Sequence, residues 1–326
     1  MDRRQAKSIS SSFKSSMYGI EDIAVYLPKS RASNLELMAR FDIDEYFLTN
    51  KIGVLHRAIR AENEETSDMA LRALEMLIEQ RGLAREEIKA LIVVTQNPDT
   101  NLPHVSGLVH GRAMLSPDCA AFDLSLGCSG YVYGLAVLQS FLSMNGLPCG
   151  VLITCDPYSK VIDSEDKSTV LLFGDAATAT IVGQEPVFVC APFIFGTQGD
   201  LTGALACKNG KLQMNGRKIF NFIMATIPKH IEDLLNAASL QKNEIDAYIF
   251  HQGSRYIVDA LAKKMELNHS KIRMGIEDIG NTVSSSIPIL LKKELINKKT
   301  ITILLSGFGV GLSWASCICS RIGASK

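Results

Sequence analysis

The chain has 326 residues, enough for one large domain or two of ordinary size. Hydrophobic residues make up 47% and charged residues 21%, and Lys+Arg and Asp+Glu both count 34, so the formal net charge is zero. That balance argues against nucleic acid or an anionic membrane as the main partner, and no apolar run approaches the roughly 20 residues that span a bilayer. The eight cysteines contain no CxxC pair and, in so long a chain, form no disulfide framework. Their use suits a reducing cytosol and a cytoplasmic protein.

In chain order, residues 1–17 are basic and Ser-rich and read as a polar N-terminal arm, with an organellar transit peptide as the other reading. A strand over 19–27 stops at Pro28, and 34–49 reads as a short helical segment. A loop holds Lys51-Ile52-Gly53-Val54 and His56-Arg57. A helix from Thr66 to Gln80 carries Met69, Leu74 and Leu77 on one stripe. The run 88–95 is apolar on both faces, as a fully buried strand is. Helix 105–114 follows, then a strand over 120–126, the turn Gly127-Cys128-Ser129-Gly130, and a helix opening at Tyr131. Strands are expected over 150–154 and 169–182, the latter with a Phe173-Gly174-Asp175 corner.

The pattern then restarts. Strand 187–195, a long amphipathic helix over 219–239, strand 245–250 ending in His251, and helix 254–265 come next. A helix over 283–295 carries Pro288 as an early interruption. Strand 301–305 runs into Gly307-Phe308-Gly309-Val310-Gly311, and 312–319 is the last strand. Buried strands alternating with helices predict an α/β fold with helices on both faces of its sheets. The segments ALIVVTQ and AYIFHQ recur in similar order, which suggests an internal duplication dividing near 183–186.

Four features fall at carboxyl ends of strands, where open α/β sheets bind ligands: Cys128, His251, Asn281 and the Gly309-Val310-Gly311 loop. Each has a bland alternative: a buried core thiol, a satisfied core histidine, a turn asparagine, a β-bulge. Cys128 at a strand–helix junction is placed for helix-terminal N–H groups to stabilise a thiolate or hold an oxyanion. A thiol nucleophile beside a neutral histidine and an asparagine amide provides two donors for a developing enolate, which is what decarboxylation of a malonyl thioester needs. Glu165, Asp166 and Asp175 read as structural or surface acids. Cys317 and Cys319 point to one strand face, which is slight support for a metal ligand.

In these motifs, and in their order, the chain resembles β-ketoacyl-(acyl carrier protein) synthase III of the thiolase superfamily over almost all residues after about Gly19. The resemblance rests on Lys51-Ile52-Gly53-Val54 with His56-Arg57, Glu64-Glu65-Thr66-Ser67-Asp68, and Phe122-Asp123 ahead of Cys128-Ser129-Gly130. It continues through Phe173-Gly174-Asp175-Ala176, His251-Gln252, Gly280-Asn281-Thr282, and Phe308-Gly309-Val310-Gly311 with Trp314. It implies a duplicated five-layer αβαβα fold with two mixed sheets, an N-terminal half at 18–183 carrying the nucleophile, and a C-terminal half at 184–326 carrying His and Asn. It implies a homodimeric acyltransferase of fatty acid biosynthesis that needs no metal or cofactor.

In that scheme Cys128 takes the acyl group from acyl-CoA, and the backbone N–H groups of Cys128 and Val310 form the oxyanion hole. His251 and Asn281 then stabilise the enolate of malonyl-(acyl carrier protein) as CO2 leaves, giving a 3-ketoacyl product. Tyr46 and Lys167 would flank the CoA adenine, Leu102 would gate the acyl pocket across the dimer, and Ser254, Gly309 and Gly311 would line the substrate path. Arg217 and Lys218 could dock an acidic carrier protein, and His104 could line the entrance. The sequence departs from the family at Gly253-Ser254, where Ala-Asn is usual, at Val310 within the glycine loop, and at Lys167, where Arg is usual. Two other readings stand beside condensation: transfer of the Cys-bound acyl group to an oxygen or nitrogen acceptor, and a non-catalytic partner subunit.

Overall fold

The computed structural model describes residues 17–323. The expected arm, 1–17, lies outside the described residues apart from Met17. β1 (Gly19–Tyr26) opens the fold, and β2 (Ser30–Ser33) and β3 (His56–Ile59) pair as a small antiparallel ribbon. The segment between them is a series of short helical turns in place of one helix, because Asp42 takes a left-handed backbone (φ 48°) that no helix continues through. α1 (Thr66–Arg81) starts at a reciprocal cap between Glu65 and Asp68 and ends at the left-handed Gly82. β4 (Ile88–Val94), α2 (Val105–Arg112), β5 (Ala120–Leu124), α3 (Gly130–Asn145), β6 (Cys149–Cys155) and β7 (Ala177–Gly183) follow. β7 begins later than the apolar run from Thr169 suggests. Asp166 accepts the Ser168 N–H at 2.9 Å and caps a helical turn, Lys167–Val170, so Phe173-Gly174-Asp175 precedes the strand.

The same sequence of elements then repeats. β8 (Phe188–Thr197) is followed by a second ribbon, β9 (Leu205–Lys208) with β10 (Lys211–Met214), and by α4 (Gly216–Ala237). β11 (Ala247–Phe250), α5 (Arg255–Lys264), α6 (Ser286–Ile296), β12 (Thr302–Gly309) and β13 (Ser313–Arg321) complete it. Pro288 does not interrupt α6. It is the helix's third residue, where the backbone N–H has no intrahelical partner to lose.

The first set of strands lies in the order β5-β4-β6-β7-β1, with β4 parallel to β5 and β6, and β7 antiparallel to β6 and β1. The second lies as β11-β12-β13-β8, with β11 parallel to β12, and β13 antiparallel to its neighbours. A lone parallel bridge from Tyr248 to Ile272 stands where β5 stands in the first set. The segments ALIVVTQ and AYIFHQ are thus β4 and β11, topological equivalents. The two sheets meet edge to edge at one bridge, Ile20 to Phe188, so hydrogen bonding runs on through nine strands.

α3 packs on β4 and β6 and also on β12 and β13, and α6 packs on β1 and β7 and also on β11 and β12. These two helices form the middle layer, with α1 and α2 outside the first sheet and α4 and α5 outside the second. α3 is apolar nearly all round, as a helix between two sheets must be. Gly134 lets it sit close, since a Cβ there would come within 2.6 Å of Leu152.

Candidate active site

Cys128 sits between β5 and α3, and its side chain is buried. Two ties fix this corner. Asp123, near the end of β5, accepts the Val105 and Ser106 N–H groups at 2.7 and 2.8 Å and so caps α2. The Ser129 hydroxyl meets the Ser313 hydroxyl at 2.7 Å, joining the thiol corner to the start of β13. The backbone of Gly309 passes so close that a Cβ there would lie 2.6 Å from the Cys128 Sγ.

His251 follows β11 directly, and its N–H donates to the Ser306 carbonyl at 2.8 Å, carrying the ladder to β12 one residue further. Its Nδ1 lies 2.9 Å from the Ser286 hydroxyl at the first turn of α6, and its ring stands edge-on to Phe308 with centroids 6.0 Å apart. Nδ1 is thereby engaged in the wall, which leaves Nε2 as the nitrogen facing the cavity. Asn281 is held on both sides by Leu172 and Gly174: its N–H donates to the Leu172 carbonyl at 2.8 Å and its carbonyl accepts the Gly174 N–H at 3.0 Å. Its side-chain Oδ1 accepts the Val283 N–H at 2.9 Å, leaving the amide NH2 for a ligand. That bond closes a tight turn in which Val283 takes φ 52°, a strained conformation for a β-branched residue.

Cys128, His251, Asn281, Gly309 and Ser254 all line one cavity of about 400 Å³. Its wall is mostly apolar, with Leu205 and Met214 from the second ribbon and Ile223 from α4. Burial, the largest influence, pushes the Cys128 thiol up to about 12, against the pull of the Val310 and Cys128 backbone N–H groups. The sequence leads one to expect a stabilised thiolate, and in the structure desolvation opposes the helix-terminal N–H groups. The two N–H groups are nonetheless near the Cys128 sulfur. Burial also lowers His251 to about 3, so the imidazole is neutral. Behind the site, buried Asp156 accepts the Ser284 hydroxyl at 2.6 Å and the Gln96 N–H at 2.7 Å, and burial raises its carboxyl to about 7.

Other expected site residues stand apart. Tyr46 is 65% exposed and does not line the cavity; the aromatic ring against Lys167 is its neighbour Phe47, with the ammonium 5.3 Å from the ring centroid. Successive residues of a helical turn point about 100° apart, so one position decides which ring faces Lys167. Lys167 also donates to the Phe41 carbonyl at 3.0 Å. Leu102 is 87% exposed and lies outside the cavity of its own chain. Gly311 does not line the cavity, and Val310 turns its side chain toward Gly127. Ser254 lines the cavity but also caps α5, accepting the Ile257 N–H at 3.2 Å. Arg217 lines the cavity; Lys218 and His104 do not.

The sequence reading missed three features. Ser286 is one of three consecutive serines after Asn281, and that run was the available signal. At the cavity mouth Tyr256 stacks on Phe220 with centroids 5.3 Å apart, and the Lys51 ammonium stands 4.6 Å from the Tyr256 ring. Far from the cavity, Cys190 on β8 joins Cys317 and Cys319, the three buried sulfurs lying within 4.8 Å of one another.

Two sheets around a shared helical layer, with a cysteine at one strand–helix corner facing a histidine and an asparagine from the repeat, define a condensing enzyme of the thiolase type. Family models agree: 3-oxoacyl-[acyl-carrier-protein] synthase III matches residues 122–199, and its C-terminal counterpart matches residues 235–321. The chain is 32% identical to the β-ketoacyl-[acyl-carrier-protein] synthase III of Lactococcus lactis subsp. cremoris (strain SK11), over 92% of this chain and 98% of that protein. It is 33% identical to the protein of the same name from Streptococcus agalactiae serotype III (strain NEM316), over the same shares. A crystal structure of a 3-oxoacyl-(acyl-carrier-protein) synthase III superposes with a TM-score of 0.88 at 32% identity, over 93% of this chain and 99% of that one. The chain belongs to the β-ketoacyl-[acyl-carrier-protein] synthase III family.

Proposed function

We propose that this chain joins an acyl thioester to malonyl-(acyl carrier protein) by decarboxylating Claisen condensation, with Cys128, His251 and Asn281 as its catalytic residues. The observation that carries the assignment is their convergence, from two repeats of the fold, on one mostly apolar cavity. The acyl-CoA enters past Lys51, Arg217 and Tyr256, whose charges and ring suit a phosphorylated, aromatic headgroup. Phe47 and Lys167 form the aromatic–cation pair expected at the adenine, with Phe47 in the place expected of Tyr46. Ser254 and Gly309 flank the pantetheine path.

Cys128 Sγ attacks the thioester carbonyl, the Cys128 and Val310 N–H groups hold the tetrahedral oxyanion, and CoA leaves with a proton as CoASH. Malonyl-(acyl carrier protein) then enters. Its C–C bond to the carboxylate breaks, CO2 leaves, and the electron pair moves onto the thioester oxygen. There His251 and the Asn281 amide donate hydrogen bonds. The enolate carbon attacks the acyl-Cys128 carbonyl, the C–S bond breaks, and the thiolate takes up a proton. Retention of the Asn281 amide, with its NH2 free for the enolate, favours condensation over transfer to an oxygen or nitrogen acceptor.

The repeated order of elements supports the division into 18–183, which supplies the thiol, and 184–326, which supplies His251 and Asn281. A cytoplasmic homodimer completes the reading: β5 is the sheet's edge strand, and the exposed Leu102 is free to enter a partner's acyl pocket. No helix of the described residues is long and apolar enough to cross a membrane. The test is intact-protein mass after exposure to acyl-CoAs from acetyl to decanoyl, with CO2 release from malonyl-(acyl carrier protein) measured in parallel. Cys128→Ala should gain no acyl mass, while His251→Ala and Asn281→Ala should acylate and release no CO2. Acylation mapping to Cys207 or Cys155 would refute the assignment.

A further inference from the structure

The Ser286 hydroxyl has one proton and three polar neighbours. His251 Nδ1 lies 2.9 Å away, the Val283 carbonyl 3.0 Å, and the Gln252 N–H 3.4 Å. The Gln252 N–H only donates and the Val283 carbonyl only accepts. The serine proton therefore has two destinations, and they give His251 opposite faces. Turned to Val283, it leaves Oγ to accept Nδ1–H, and Nε2 shows the cavity a lone pair. Turned to Nδ1, it makes Nε2 the protonated nitrogen, a donor aimed at the substrate.

Three details decide between them. The Val283 carbonyl already accepts the Ser286 backbone N–H, so it is satisfied without the hydroxyl. The Gln252 N–H fills one Oγ lone pair. An imidazole nitrogen buried in this wall needs a partner, and the serine is the one placed closest. We propose that Ser286 is a positioning residue that donates to His251 Nδ1 and so fixes the Nε2–H tautomer on which decarboxylation depends. This rests on the reading of His251 as an enolate donor. Ser286 itself touches no substrate and does not line the cavity.

The consequence of deleting the hydroxyl follows from the same geometry. In Ser286→Ala, Nδ1 loses the hydroxyl that held it as an acceptor, and the acceptor left in that wall is the Val283 carbonyl, 3.0 Å from where Oγ stood, which favours the protonated ring. The tautomer inverts, Nε2 becomes an acceptor, and it repels the enolate oxygen. Acylation, which uses the Cys128 and Val310 N–H groups, is spared.

The experiment uses the full-length enzyme as wild type, Ser286→Ala and Ser286→Thr. Acyl-Cys128 formation is followed by intact mass and CO2 release by trapping. Histidine tautomers are read from 15N chemical shifts of 15N-histidine protein, with the His251 signals assigned by their loss in His251→Gln. Ser286→Ala should acylate within a few-fold of wild type but lose CO2 release on the order of 100-fold, the effect of removing one oxyanion donor. Ser286→Thr, which keeps the hydroxyl, should recover most of it. The 15N shifts should place the proton on Nε2 in wild type and on Nδ1 in Ser286→Ala. A wild-type proton on Nδ1, unchanged CO2 release in Ser286→Ala, or a loss of CO2 release without tautomer inversion would each overturn the inference. Failure of wild-type Cys128 to acylate would instead refute the reading of the site, and the 15N shifts would still decide the role of Ser286.

Discussion

Replacement of Gly309 by alanine tests the geometry of the thiol corner most directly. The added Cβ would stand 2.6 Å from the Cys128 Sγ and 2.8 Å from its Cβ, with no other atom in contact. Carbon and sulfur at that distance must separate by about 1 Å to reach ordinary van der Waals contact. β12 is buried along its length and Gly309 is paired with Ser313 of β13, which holds the strand in place. The thiol moves instead, away from the Val310 and Cys128 N–H groups. A misplacement of about 1 Å at a reacting atom costs roughly 100-fold in rate, or about 2.7 kcal/mol of barrier. Overpacking costs about 1–3 kcal/mol of stability as well. Single-turnover acylation by acyl-CoA, followed by intact mass, measures the first, and urea unfolding measures the second. Gly307→Ala is the comparison: its Cβ would meet the Cys128 backbone carbonyl at 2.5 Å, so the whole corner must shift and the stability loss should be larger. Gly309→Ala acylating at the wild-type rate while folded would refute the placement of the glycine loop against the thiol.

Ser254→Ala removes the cap of α5 and should cost about 1 kcal/mol of stability by chemical denaturation; if the KM for acyl-CoA is also unchanged, its part in substrate binding is dispensable. Alkylation of Cys128 by iodoacetamide should rise steadily from about pH 6 to about pH 9 without levelling, because a thiol pushed up to about 12 gains thiolate throughout that range. A plateau below about pH 8 would show a thiolate already formed in the free enzyme. Peptide mapping in the same samples should find the exposed Cys207 modified readily, and buried Cys190, Cys317 and Cys319 modified only after unfolding.

Cys128 and His251 are legible because each follows a strand where a polar turn begins, whereas Asn281, expected at a strand end, follows no strand and forms only an isolated bridge to Phe173; the Gly280-Asn281-Thr282 motif is what marks it. The three nonetheless meet in one cavity. What escaped depended on distances no local pattern encodes. Ser286 reads as an ordinary helix start, and its contact with His251 spans 35 residues. Cys190 meets Cys319 across 129 residues, so the spacing of Cys317 and Cys319 carries no hint of it. The family resemblance places Tyr46 at the adenine, and a resemblance in motif order cannot tell which of two adjacent rings in a short helical turn faces Lys167; Phe47 does. The apolar run from Thr169 looks like strand, and Asp166 caps it into a helical turn.

The duplication explains why the site can serve two half reactions without the groups for one obstructing the other. The corner entering α3 carries Cys128, and the corresponding corner entering α6 carries Asn281 and Ser286. The first residues past the equivalent strands β4 and β11 are Thr95 and His251. Equivalent positions thus hold different chemistry: the first repeat offers a thiol and its own backbone N–H, the second a neutral imidazole, an amide and the Val310 N–H. Because α3 and α6 lie together in the middle layer, the two corners face one cavity. The rigid strands behind them, and not a mobile loop, then set the distance between acyl carrier and enolate donors. A change confined to the His251 side should therefore alter decarboxylation and leave the acyl-enzyme intact, which is the split that Ser286→Ala is designed to expose.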